Sequence, residues 1–443
     1  MKPMHALTPS APLLVLLAAV ALSGCKPESA STAASAPAAV AAAPVQFRAQ
    51  TWQLPVDGHA AQPDLIVAPD GGVLLSWIEP DATSPASHAL KFARYADDRW
   101  SQPQPIASGD DWFVNWADTP HIAATADGAL WAHWLQKSSA ATYSYDVALV
   151  RSGDGGSNWS APVLVNDDGT PTEHGFVSMW PASNDSLGIA WLDGRRTASQ
   201  GGHGAATAHG GAEAGHGTEA ATMTLRATVF DPALQRSADQ ELDLSTCDCC
   251  QTDAVATPAG AILAYRDRTA AEIRDIYVAR FQDGAWQPAD RVHADDWTMP
   301  ACPVNGPAIH ARGSNAIVGW YTAAGGTPMV KLAHSSNAGA SFASPRAIDG
   351  GDAVQGRVAV ALGESAAWVL WLRETGASQS LQLALFSPDL GRELQRIEVA
   401  TLQGRGRGTG FPQMVLSGET AHVIWTDVVD GKPRLHGATI AAR

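Results

Sequence analysis

Cationic side chains are scarce in this chain. Its 443 residues hold 29 Lys and Arg against 44 Asp and Glu, a formal net charge of −15. An acidic surface repels phosphate backbones and anionic lipid faces, which excludes nucleic acid as a partner and electrostatic docking on an acidic bilayer. Long hydrophobic runs are lacking too. The longest, residues 13–22 (LLVLLAAVAL), falls short of the about 20 apolar residues that a membrane-spanning helix needs. Cysteine is rare, with five in the whole chain. Four of them fall in two short segments, CDCCQTD and MPACPVNGP, so thiol or soft-metal chemistry is confined to Cys247, Cys249, Cys250 and Cys302.

The N-terminus carries a targeting pattern rather than a fold element. Lys2 and the apolar run lead to Leu22-Ser23-Gly24-Cys25. This tetrapeptide resembles the lipobox of bacterial lipoproteins. The resemblance implies a signal peptide over residues 1–24, cleavage before Cys25 and lipidation of its sulfur. The mature chain would then sit on a cell-envelope membrane facing the periplasm or the surface. Lys26 fits outer-membrane sorting in that family. Residues 25–45 are rich in Ala, Ser and Pro with almost no charge, a composition suited to a tether and not to a core.

Residues 46–443 show one pattern seven times: an apolar strand, a turn with Gly or Asp, and a second apolar strand closing on an aromatic. The closing aromatics are Trp77, Trp134, Trp191, Tyr265, Trp320, Trp371 and Trp425. They recur about every 50–57 positions except across residues 191–265, a stretch lengthened by a His-rich insertion at about 198–220. A period near 50 with several short strands per unit predicts an all-β propeller. Seven four-stranded blades are expected, with six as the alternative. The last unit lacks a fourth strand, and TWQLPV at 51–56 can supply it, closing the ring and removing an exposed sheet edge.

The segment SGDGGSNW at 152–159 matches S-x-D-x-G-x-x-W, with Ser152, Asp154, Gly156 and Trp159 in the pattern positions. A carboxylate at Asp154 can hold the amides of a tight turn that glycine permits. SSNAGASF at 335–342 is a degenerate copy. These segments resemble the Asp boxes (BNR repeats) of sialidases and related propellers. The set CDCCQT, YRDR, EIRD and CPVNGP resembles sialidase-like bacterial propellers without a settled activity. Sialidases grip a substrate carboxylate with three arginines and use a Tyr/Glu nucleophile pair with an acid/base Asp. This chain lacks their F/Y-R-I/L-P motif; FRAQ at 47–50 does not match.

Propeller topology gathers the loops between blades, and those joining second to third strands, at the funnel mouth. The four cysteines fall in two such neighbouring loops, beside the His-rich insertion. Three readings stay open for them: structural disulfides, a copper or zinc site, or redox chemistry. Met179 and Met299 lie in the same loops. His203, His209 and His216 in the insertion could collect a metal weakly, or belong to a neutral low-complexity loop. Arg195, Arg266, Arg268 and Arg373, with Tyr265 and Glu272, are the catalytic or anion-gripping candidates. The competing reading pairs these arginines with acids such as Asp193, Asp267, Asp275 and Glu374. Trp112, Trp116, Trp180 and Trp297 in mouth loops could stack on sugar rings. Three functions follow: a propeller binding a small ligand, sugar or soft metal at its mouth; a glycosidase acting on an anionic sugar; or an envelope scaffold docking a protein partner.

Overall fold

The computed structural model describes residues 46–81, 84, 86–200, 222–376 and 378–442. The expected signal peptide, tether and lipidated Cys25 lie outside the described residues, as do His203, His209 and His216 of the insertion.

Seven antiparallel sheets follow one another along the chain, so the protein is a seven-bladed β-propeller. The innermost strands are Ala61–Val67, Ile122–Ala124, His174–Pro181, Asp253–Thr257, Ala308–Arg312, Val354–Leu362 and Gln413–Ser417. The six-blade alternative is set aside. Between every adjacent pair of blades lies one apolar cluster, seven in all, built from alternate residues of the facing strands. A sheet with both faces covered by neighbours needs apolar side chains on both faces. This explains why second strands such as Leu187–Asp193 are buried at every position.

The repeated aromatic has a structural task. Trp77, Trp191, Trp320 and Trp371 are at most 1% exposed. Each indole N–H is satisfied by a nearby carboxylate: Glu79 at 3.0 Å, Asp193 at 2.8 Å, Asp295 at 2.7 Å and Asp349 at 2.7 Å. A buried Trp usually finds such a partner, so these ring positions of the repeat carry packing and not ligand binding.

Blade seven comprises Gln413–Ser417, Thr420–Val429 and Lys432–Ala442 and is completed by Phe47–Trp52. Phe47 lies opposite Ala442 and Trp52 opposite Gly437. The closing strand therefore lies N-terminal to the expected 51–56. Phe47 and Ala49 pack on the apolar cluster between blades six and seven, whereas Pro55 has no N–H to extend the ladder.

The segment at 152–159 forms a tight turn between third and fourth strands. Asp154 accepts from the Asn158 amide at 2.9 Å, and Ser152 Oγ accepts from the Gly156 amide at 2.8 Å. The copy at 335–342 repeats both bonds, with Asn337 in the Asp position. A related turn with a different bond pattern, Ser387-Pro388-Asp389-Leu390-Gly391, follows the third strand of blade six. Its Ser387 hydroxyl donates to Asp389, which accepts from the Gly391 amide. The residue after the Asp or Asn has positive φ in all three: Gly155, Ala338 and Leu390.

Candidate functional site

Strand direction alternates within a blade, so the loops leading into the inner strands share one end of the central channel. That end is held by a repeated stitch. A side chain at the start of one blade accepts the backbone N–H of the next blade's inner strand. Asp64 takes Ile122, Asp118 takes Phe176, Asp253 takes Ile309, and Asn305 takes Arg357, all between 2.7 and 2.8 Å. Phe176 and Arg357 reach this geometry with positive φ, 50° and 54°, at breaks in the strand register. Such backbone is costly for a non-glycine residue and persists where surroundings over-determine it. The preceding Gly175 and Gly356 leave room for the acceptors. A Cβ on Gly175 would overlap Asp118, and one on Gly356 would overlap Asn305.

Inside this ring lies a cavity of about 260 Å³ lined by Asp64, His121, Ser178, Gln251, Asp253 and Phe411, among others. His121 Nδ1 is 3.1 Å from Asp64 Oδ1. Burial pulls this imidazole down, but the carboxylates of Asp64, Asp253 and Asp118 outweigh it and hold the pKa above its ordinary value. Desolvation pushes Asp253 up to about 7.

On the side of blades two and three, Tyr145 bridges two carboxyl groups. Its hydroxyl lies 2.6 Å from Glu173 Oε1 and 3.1 Å from Asp118 Oδ2. All three residues are buried. A phenol has one proton to donate, so satisfying both contacts requires one carboxyl to keep its own proton. Desolvation acts in the same direction, raising Asp118 to about 7 and Glu173 to about 8. Phe113 stacks on Tyr145 at 4.2 Å and 10° and covers the group.

Where Trp116, from the loop into blade two, meets Phe411, from the loop into blade seven, the rim is aromatic. Trp116 and Phe411 are half-buried and stack at 5.9 Å and 14°. The Arg357 guanidinium lies 4.9 Å from the Trp116 ring and 5.8 Å from Phe411, and Arg407 lies 6.0 Å from Trp116. Arg357 is buried and donates to the Thr409 hydroxyl and the Gly410 carbonyl, both at 2.9 Å, whereas Arg407 is exposed.

The arginine candidates from the sequence do not converge on this cavity. Arg266 is buried and donates to the carbonyls of Asn305, Arg274 and Tyr321. Its lost hydration brings its pKa down to about 10. Arg195 pairs with Asp193 and Asp168, Arg268 with Glu272 and Asp248, and Arg373 with Asp349. Tyr265 is buried against Asp243, which with desolvation raises its pKa. Ion pairing accounts for Arg195, Arg268 and Arg373, with Asp168, Asp248 and Asp349 among the partners, whereas Arg266 is held by backbone carbonyls. Of the four mouth tryptophans, Trp112, Trp180 and Trp297 are buried, and Trp116 alone is half-exposed.

The four cysteines form two disulfides, Cys247–Cys250 and Cys249–Cys302. Of the three readings of these cysteines this is the disulfide one, and in this form none of the four sulfurs is the thiolate that binds copper or zinc. Met179 lines the central cavity, and the Met299 amide is bonded to the Glu272 carbonyl. His174 is buried, with Nε2 2.9 Å from Asp168 Oδ2 and Nδ1 3.1 Å from the Tyr145 carbonyl. Asp168, His174 and Asp193 lie close enough together to share an ion, but the Arg195 guanidinium already neutralises both carboxylates.

Among known proteins, no family model matches the chain, and no curated protein matches it. Similar solved structures include an α-L-arabinofuranosidase from Fusarium graminearum bound to an iminosugar inhibitor. It has a TM-score of 0.45 and 10% identity over 87% of this chain and 94% of that one. The NanB sialidase from Streptococcus pneumoniae has a TM-score of 0.43 and 12% identity over 89% of this chain and 70% of that one. An ulvan lyase has a TM-score of 0.40 and 11% identity over 76% and 78%. These are loose likenesses, and none assigns a ligand or a reaction.

Proposed function

We propose that the chain is a lipid-anchored envelope propeller that binds a carboxylated saccharide at its funnel mouth. The observation that carries this reading is the half-exposed Trp116–Phe411 pair at the cavity rim, with the exposed Arg407 guanidinium against Trp116. A sugar's C–H face stacks on an aromatic surface, and guanidinium groups recognise a carboxylate. The carboxyl-rich wall across the cavity offers acceptors and donors for hydroxyls. Glucuronate and N-acetylneuraminate should quench tryptophan fluorescence more strongly than glucose. Trp116→Ala should weaken their binding about tenfold, the worth of one aromatic contact. Equal affinity for glucose and glucuronate would count against the carboxylate. For the anchor, Cys25→Ala should move the protein from the membrane fraction to the soluble one; unchanged fractionation would count against lipidation.

A hydrolytic reading has its own observation. Asp118 and Glu173 share Tyr145 and retain a proton near neutral pH, as a general acid must. Fluorogenic sialosides and uronides test it. Turnover lost in Glu173→Gln supports it, and no turnover in the native protein leaves binding alone.

A further inference from the structure

The two disulfides differ in access yet share one small space. Cys302 is exposed, in a loop with exposed Pro300 and Ala301, while Cys247 and Cys250 are buried and Cys249 lies between. The sulfurs of Cys247, Cys249 and Cys250 all lie within 4.8 Å of one another. The buried Arg274 guanidinium donates to Cys247 Sγ at 3.3 Å, with its other end on Glu272 at 2.8 Å. Nothing in the saccharide reading uses these groups.

We propose that Cys249–Cys302 is a thiol-exchange site for a dithiol reductant, and that Cys249 relays the exchange to the buried Cys247–Cys250 bond. A thiolate of the dithiol attacks Cys302 Sγ. The Cys249–Cys302 bond breaks, a mixed disulfide forms on Cys302, and the electron pair leaves on Cys249. The Cys249 thiolate then attacks Cys250 Sγ, forming Cys249–Cys250 and expelling Cys247 as thiolate beside Arg274. The reductant's second thiol displaces Cys302 from the mixed disulfide. One dithiol is oxidised to a disulfide, and two electrons and two protons end on Cys247 and Cys302. The protein keeps one disulfide.

Arg274 sets the direction. A cation beside a sulfur lowers its thiol pKa, and the lower-pKa thiol is the better leaving group. Cys247 has that cation, so Cys250 is the sulfur attacked. The vicinal Cys249–Cys250 product is the reducible kind, and the exchange runs back when the oxidised dithiol, itself a disulfide, takes the two electrons and two protons up again through Cys302. Opening Cys249–Cys302 also removes the covalent link between the loops leading into blades four and five. Gln251 and Gly306 in those loops meet at 3.0 Å on the cavity wall.

The test uses the oxidised intact protein without denaturant. One equivalent of dithiothreitol is added, thiols are trapped with N-ethylmaleimide in acid, and peptides are mapped by mass spectrometry. The expected result is alkylated Cys302 and Cys247 with Cys249 linked to Cys250. Alkylated Cys249 and Cys302 with Cys247–Cys250 intact would overturn the relay, and no labelling before denaturation would overturn the exchange site. In Arg274→Gln, Cys247 labelling should slow about tenfold while Cys302 labelling keeps its rate; an unchanged Cys247 rate refutes the leaving-group role. Cys302→Ala leaves Cys249 with no partner, so Cys247 should become labelled without any reductant. Labelling of Cys249 alone refutes the relay.

Discussion

Replacing Glu173 with Gln removes a titrating proton while keeping shape and hydrogen-bonding capacity beside Tyr145. Desolvation holds the Glu173 carboxyl at about 8 in the folded chain, against 4.5 when exposed. An acid whose pKa is raised by folding contributes stability that is present below its unfolded pKa and lost as pH rises through the folded one. The window therefore runs from about 4.5 to about 8. At about 1.4 kcal/mol per pH unit, full retention of the proton would amount to roughly 5 kcal/mol across that window. Sharing the Tyr145 hydroxyl with Asp118 divides the effect, leaving about 2–3 kcal/mol for Glu173 alone. In a domain of this size that is roughly 2–4 °C in Tm. Scanning calorimetry at pH 5.0 and 8.5 reads it directly. The wild type should lose more Tm between the two than Glu173→Gln does. Parallel losses would refute the claim that Glu173 keeps its proton in the fold.

Other perturbations probe the scaffold. Arg266→Met should cost about 3–5 kcal/mol, because three buried carbonyls lose their donor; chemical denaturation measures it, and a cost under about 1 kcal/mol would return Arg266 to the ligand-gripping group. Gly175→Ala should destabilise by about 2 kcal/mol or more, since its Cβ would push Asp118 off the Phe176 amide; thermal unfolding tests this, and a neutral result would break the stitch. Deleting residues 46–52 should leave blade seven with an open edge. Concentration-dependent association by light scattering is expected, whereas an unchanged monomer would show the closing strand to be dispensable.

The fold was legible because the propeller repeats itself. Seven aromatics at near-regular spacing, each closing a second strand, pointed to seven blades with six as the alternative, and the missing fourth strand of the last unit pointed to the N-terminus. The site was far less legible. Arg266 and Tyr265 stand out in a sequence because charged and phenolic groups signal chemistry, yet they are spent on backbone carbonyls and on Asp243. Asp118, Tyr145 and Glu173 come from three separate segments and meet only when blades two and three are laid side by side. The pairing of Gly175 with Phe176, and of Gly356 with Arg357, did leave a trace, a glycine at the start of an inner strand facing a carboxyl or amide one blade back. That trace is readable only once the register is known. The cysteine spacing put the sulfurs in one place, but two thiol pairs and a tetrathiolate site have the same sequence.

The measurement that tests the saccharide reading most directly is a crystal structure of the protein soaked with glucuronate or N-acetylneuraminate at saturating concentration. The sugar ring is expected against Trp116 and Phe411, with its carboxylate toward Arg407 and its hydroxyls toward His121 and Gln251. An empty mouth at a concentration that saturates binding in solution, or a sugar bound on another face of the propeller, would contradict it.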